Sequence, residues 1–165
     1  MELRFASADD LDALVDVQEA GSVAALGQIF PQDVHPFPRD VVRQRWAAEI
    51  ADAEVSVYVC TDEAGSITGF AARRGDELLH LGTAPRTWGS GLAATLHDAL
   101  LASFPASVTH CRLRVFAENG RARRFYEKLG WTCTGDVTRS TFPPHAELLT
   151  CTRARDLGAV TAARG

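Results

Sequence analysis

The stretch "ELLHLGTAPRTWGSGLAATLHDALLASFP", Glu77 to Pro105, sets the frame for the rest of the chain. Residues 77–83 (ELLHLGT) form a nearly continuous apolar run, which reads as a strand buried on both faces. From Leu92 to Phe104 the apolar residues return at helical spacing, and Pro105 breaks the helix. Between them Gly89 and Gly91 sit one residue apart, where the turn becomes helix. Backbone N–H groups in the first turn of a helix have no internal partner and carry a partial positive charge. Glycines let a ligand approach that backbone closely. Strand, glycine turn and helix together describe an anion cradle suited to a pyrophosphate.

Outward from this unit the elements follow in order. Toward the C-terminus, residues 110–116 (HCRLRVF) read as a strand. Residues 119–129 read as a short helix stopped by Gly130. Residues 131–138 and 146–153 read as two strands joined by the loop RSTFPPHA. Toward the N-terminus, residues 2–6 predict a first strand, and Ser7 caps a helix carrying Leu11, Leu14, Val15 and Val17 that Gly21 ends. The segment GQIFPQDVHPFP, residues 27–38, holds three prolines and reads as a loop. A second helix runs from Asp40 to Ala53, with Val41, Val42, Trp46 and Ile50 at helical spacing. Residues 55–61 and 66–73 pair as a hairpin around DEAGS. The order is β-α-α-β-β-β-α-β-α-β-β. It predicts an α+β fold, a mixed sheet of about seven strands with helices on both faces.

At 165 residues the chain suits one domain, taken as residues 1–155, with residues 156–165 as a frayed tail. Hydrophobic residues make up 46% and charged residues 23%, a globular balance. The formal net charge of −4 argues against nucleic acid or an anionic membrane as partner. The N-terminus lacks a basic start followed by an apolar run, and no stretch is apolar enough to span a membrane. A cytoplasmic location is therefore expected. Cys60, Cys111, Cys133 and Cys151 show no CxxC spacing, so they read as buried free thiols rather than a metal site or disulfides. A homodimer is compatible with the sequence.

Two separately placed motifs resemble those of the GNAT superfamily of N-acetyltransferases. The family's acetyl-CoA signature, Q/R-x-x-G-x-G/A after a strand and a proline, corresponds to Trp88, Gly89, Ser90, Gly91, Leu92 and Ala93, preceded by Pro85. Trp88 departs from it, standing where the family has Gln or Arg. The second signature corresponds to Asn119, Ala122, Phe125, Tyr126, Gly130 and Trp131, with every spacing kept. The order of elements fits along nearly the whole chain.

The resemblance implies transfer of an acetyl group from acetyl-CoA to an amine, with no metal. It implies that backbone N–H groups across Trp88–Ala93 hold the pyrophosphate. Leu81, Gly82 and Thr83 would pair with the pantetheine arm, with Asn119 opposite. It places Tyr126 as general acid, protonated at neutral pH because a free phenol has a pKa of about 10. Glu77 opens the strand where some members carry a general base. His80 is the rival candidate for the base, but on strict alternation it falls on the opposite face from Glu77 and reads as a packed histidine. His97 reads as surface or packing. Phe30, His35 and Phe37 in one loop, with Phe142 and His145 in the other, are candidate walls of the acceptor pocket. Asp33 or Glu147 would suit a cationic amine, though each also reads as a surface charge.

Two other readings compete. GSGLAA fits the dinucleotide pattern G-x-G-x-x-G/A, with Glu118 closing the next strand. Its glycines, however, come five residues after the strand, and a single β-α-β unit does not build the doubly wound sheet of a nicotinamide-dependent oxidoreductase. An acyl-CoA-binding sensor without transfer activity is the third reading, and a retained Tyr126 argues against it.

Overall fold

The computed structural model describes residues 1–157, so most of the predicted frayed tail lies outside the described residues. Seven strands form one sheet: β1 (Glu2–Phe5), β2 (Val55–Thr61), β3 (Ile67–Arg74), β4 (Glu77–Thr83), β5 (His110–Phe116), β6 (Thr132–Arg139) and β7 (Glu147–Ala154). Four helices flank it: α1 (Leu11–Ala25), α2 (Arg39–Ala51), α3 (Leu92–Ser103) and α4 (Gly120–Lys128). The strand order is β1-β2-β3-β4-β5-β7-β6, antiparallel except for β4 beside β5. The predicted mixed sheet and element order hold.

Period-two alternation sends each strand's apolar residues to two cores. Val57 and Val59 of β2 and Phe70 and Ala72 of β3 pack with Leu14, Val15 and Trp46 of α1 and α2. Tyr58, Cys60 and Ala71 face the other way, toward Leu96 and Leu100 of α3 and Trp131. Each fully buried aliphatic side chain contributes about 1.5–3 kcal/mol. Both cores are therefore substantial, and the sheet between them is a stiff platform.

Three expectations need correcting. Gly21 does not end α1, which continues to Ala25. An interior glycine costs a helix only about 1 kcal/mol, and flanking contacts outweigh that here. β4 is not buried on both faces. Only Leu78 and Thr83 are fully covered, because β4 pairs with β5 just at Glu77–Arg112 and Leu78–Leu113. Beyond that the two strands part. Finally, Cys133 and Cys151 are not free thiols. They stand directly opposite one another on β6 and β7 and form a disulfide. Their sequence spacing is uninformative because strand register alone brings them together. Cys60 and Cys111 remain free and buried, and burial raises both thiols above their ordinary pKa.

Candidate active site

Where β4 and β5 part, a cleft of about 650 Å³ opens across the sheet. The half-buried part of β4, from Leu79 to Gly82, forms one wall, and Asn119, Ala122 and Tyr126 line the cleft from α4 and its cap. Gly82 sits against the Phe70 ring, with no room for a Cβ. The α1 side closes the cleft with Gln18, Gly21 and Ser22, and α2 adds Arg45 and Glu49.

At one end lies the glycine turn. Gly91 adopts φ +87° as the cap of α3, and Gly89 adopts φ +83°. A Cβ at either would meet nothing within 4 Å, so open space fronts the turn and its glycines serve the backbone conformation. Trp88 lies flat beside this cradle. Its indole Nε1–H donates to Thr83 O at 3.1 Å, and the Arg121 guanidinium stacks 3.5 Å over its ring. Burial lowers the pKa of Arg121, whose guanidinium rests on this aromatic face. A cation therefore stands at the cradle although position 88 carries none.

Tyr126 closes the middle of the cleft. It packs edge-on against Phe125 at 5.2 Å and Trp131 at 6.0 Å, and burial pushes its phenol well above the ordinary range. Its hydroxyl stays protonated across the physiological range. Asn119 caps α4, its Oδ1 accepting from Ala122 N–H at 3.1 Å. A short strand-to-helix turn thus sets both Asn119 and Tyr126 over the cleft.

The family profile described as an acetyltransferase (GNAT) domain matches residues 25–145. The chain belongs to the GNAT acetyltransferase family. No curated protein sequence matches it. Among solved structures, the PaiA N-acetyltransferase from Thermoplasma acidophilum in complex with coenzyme A is similar at TM-score 0.74. That pair shares 18% identity over 93% of this chain and 98% of the other. The ribosomal-protein-S18-alanine N-acetyltransferase from Escherichia coli follows at TM-score 0.71 and 17% identity, covering 97% of both chains. A spermidine N-acetyltransferase variant from Vibrio cholerae has TM-score 0.67 and 19% identity over 94% of this chain and 96% of its own. At such identities the likeness speaks for the GNAT fold.

The fold brings one part of the predicted GNAT site together and leaves another apart. Leu81, Gly82, Thr83, Trp88, Asn119 and Tyr126 share the cleft, as does Ala93 at the start of α3. Gly89, Ser90, Gly91 and Leu92 form the adjoining turn. Ser90 is engaged locally, its Oγ accepting from Leu92 N–H at 3.3 Å. Glu77 lines the cleft, but both carboxylate oxygens are occupied, Oε2 with Arg112 and Oε1 with Arg114, each at 3.3 Å. Phe30, His35, Phe37 and His145 do not line the cleft. Phe30 packs edge-on against Phe116 at 5.5 Å, and Phe37 rests on the α1–α2 core. His35 stays in its proline loop, its N–H bonded to Pro31 O. His145 turns its Nδ1 to Ser140 O at 2.9 Å and lines a separate cavity of about 290 Å³. From that loop it is Phe142, with Ser140 and Thr141, that reaches the cleft.

Sequence reasoning missed Gln18, Arg45, Glu49 and Arg121 as parts of this site. The first three sit on the cleft-facing sides of α1 and α2, where they read as ordinary helix surface. His97 is not a surface residue. It is fully buried, its Nε2 accepting from the Trp131 indole N–H at 2.9 Å and its Nδ1–H donating to Asp98 at 2.9 Å. Among the described residues no cluster of three or more His, Cys, Asp or Glu forms a metal site.

Proposed function

We propose that this protein transfers the acetyl group of acetyl-CoA to a primary amine of a small molecule or peptide. The observation that carries the reading is a single cleft joining an anion cradle, a half-open strand and a half-buried tyrosine. The fit is physical. The first turn of α3 adjoins the open space in front of Gly89 and Gly91, which a pyrophosphate would fill. Arg121 on Trp88 adds the positive charge. The free edge of β4 from Leu81 to Thr83 offers backbone donors and acceptors to an amide-bearing arm, and an N–H there would stabilise a developing oxyanion.

Bound acetyl-CoA supplies an activated thioester. Tyr126 then holds a proton for the departing sulfur. An alkylamine with a pKa of about 10.4 must lose a proton before it can attack, so a base is also needed. Glu77 is the sequence-derived candidate. Its carboxylate is directed at two guanidinium groups rather than left open to the cleft.

Calorimetric titration with acetyl-CoA, CoA and NAD, followed by free-thiol release with a panel of amines, tests this reading. Acetyl-CoA binding with thiol release from at least one amine is expected. Tight binding with no release for any amine would leave an acyl-CoA-binding module instead.

A further inference from the structure

Strict alternation along β4 would put Glu77 and His80 on opposite faces. The strand is not regular. Ala72 pairs with His80 and Arg73 with Leu78, so one step on β3 matches two on β4 and Leu79 is an inserted residue. Arg74 pairs with Glu77, and Arg74 and Ala72 share a face. The bulge therefore turns His80 onto the same face as Glu77, and both line the cleft.

The His80 ring leans on Trp46 at 4.7 Å. Its Nε2–H donates to the Glu49 carboxylate, 2.9 Å from Oε2 and 3.1 Å from Oε1. The side chain keeps 20% of its surface exposed, and its Nδ1 makes no hydrogen bond among the described residues. A carboxylate that takes one ring nitrogen fixes the tautomer and leaves the other as a lone pair. We propose that His80, oriented by Glu49, is the general base that deprotonates the acceptor amine, in preference to Glu77. This inference rests on the acetyl-transfer reading above.

The electrostatics around the ring agree with the geometry. Burial lowers the pKa of His80, and Arg45 of α2 adds to that. The bond from Glu49 and the charge of Glu77 oppose it. Arg74 of β3 is drawn to Asp52 at 2.7 Å. The net shift is downward, so the imidazole is neutral near pH 7 and its Nδ1 is free to accept. Glu49 itself is held ionised. Burial would raise its pKa, but the bond with His80 and the charges of Arg45 and Arg74 outweigh that. The proton balance closes. His80 Nδ1 takes one proton from the acceptor ammonium and passes it to solvent. Tyr126 gives its phenolic proton to the sulfur as the C–N bond replaces the C–S bond, and it recovers one from the nitrogen.

The test uses the full chain and whichever amine the thiol-release panel identifies. His80→Gln keeps a donor for Glu49. It is expected to lower kcat/KM by about 10²-fold or more and remove the acid limb of the pH–rate profile, with acetyl-CoA affinity unchanged by calorimetry. Glu49→Gln removes contributions that raise the His80 pKa. It is expected to move both the acid limb and the His80 ring titration, followed by NMR without substrate, to lower pH. A purely structural role would lower the melting temperature without moving either titration. Should His80→Gln fold poorly, the Glu49→Gln titrations decide alone. A His80→Gln enzyme within about 3-fold of wild type, with the acid limb intact, would overturn the proposal and return the role to Glu77 if Glu77→Gln erases that limb. No thiol release by the wild type with any amine would overturn the transferase reading and this one with it.

Discussion

Trp88 stands where a polar or cationic side chain is usual, and the structure shows what accompanies the exchange. The indole is pinned to Thr83 O, and its face carries Arg121. A charge-assisted phosphate contact is worth about 1.5–3 kcal/mol. Arg121→Ala should therefore weaken CoA binding by about 10-fold or more. If Arg121 meets the pyrophosphate, calorimetry with 3′-dephospho-CoA will show the same loss. Full affinity in Arg121→Ala would mean that the cation only braces Trp88. Tyr126 is the other residue whose identity matters beyond its shape. Tyr126→Phe keeps the ring packing against Phe125 and Trp131 and removes the proton. Turnover should fall by about 10²-fold with acetyl-CoA affinity nearly intact, measured by thiol release beside calorimetry.

At the scale of elements, two irregularities build the site. The bulge in β4 rotates His80 into the cleft, and the early parting of β4 from β5 exposes the strand edge beyond Leu78. A third device ties the two halves of the fold. His97 on α3 accepts from Trp131, which leads into β6. Both side chains are buried, so neither has water to fall back on. Trp131→Phe leaves the His97 Nε2 without its donor. This should cost about 1–3 kcal/mol, read as a lower denaturation midpoint at unchanged slope. A loss well under about 0.5 kcal/mol would show that His97 finds another donor or turns its ring.

Across the whole molecule, pH dependence follows from groups whose folded pKa values lie below their ordinary ones. Burial lowers His80 and His97. The unfolded chain then binds more protons, so stability is full above the ordinary imidazole pKa of about 6.5 and drains as pH falls toward the folded values. The side-chain bond with Arg4 lowers Asp10, a contribution lost only in stronger acid, as pH falls through its folded pKa. The melting temperature should decline from pH 7 to pH 5, and His80→Gln should flatten that slope. A flat wild-type profile across this range would refute it. Much of this architecture was legible in the sequence, because periodicity, caps and turn glycines are short-range signals. Element order, the Gly89–Gly91 cradle and the Asn119–Tyr126 helix are of that kind. Other features depend on partners far apart in the chain. The facing of Cys133 and Cys151 comes from strand register, and the contact of His80 with Glu49 needs a bulge and a packed helix. The stacking of Arg121 on Trp88 needs α4 laid beside the cradle. The sequence by itself determined which elements form and in what order, since each residue's local preference is written in its near neighbours. Only the tertiary structure decided which charges meet across the cleft, since register and packing are set by contacts no single segment contains.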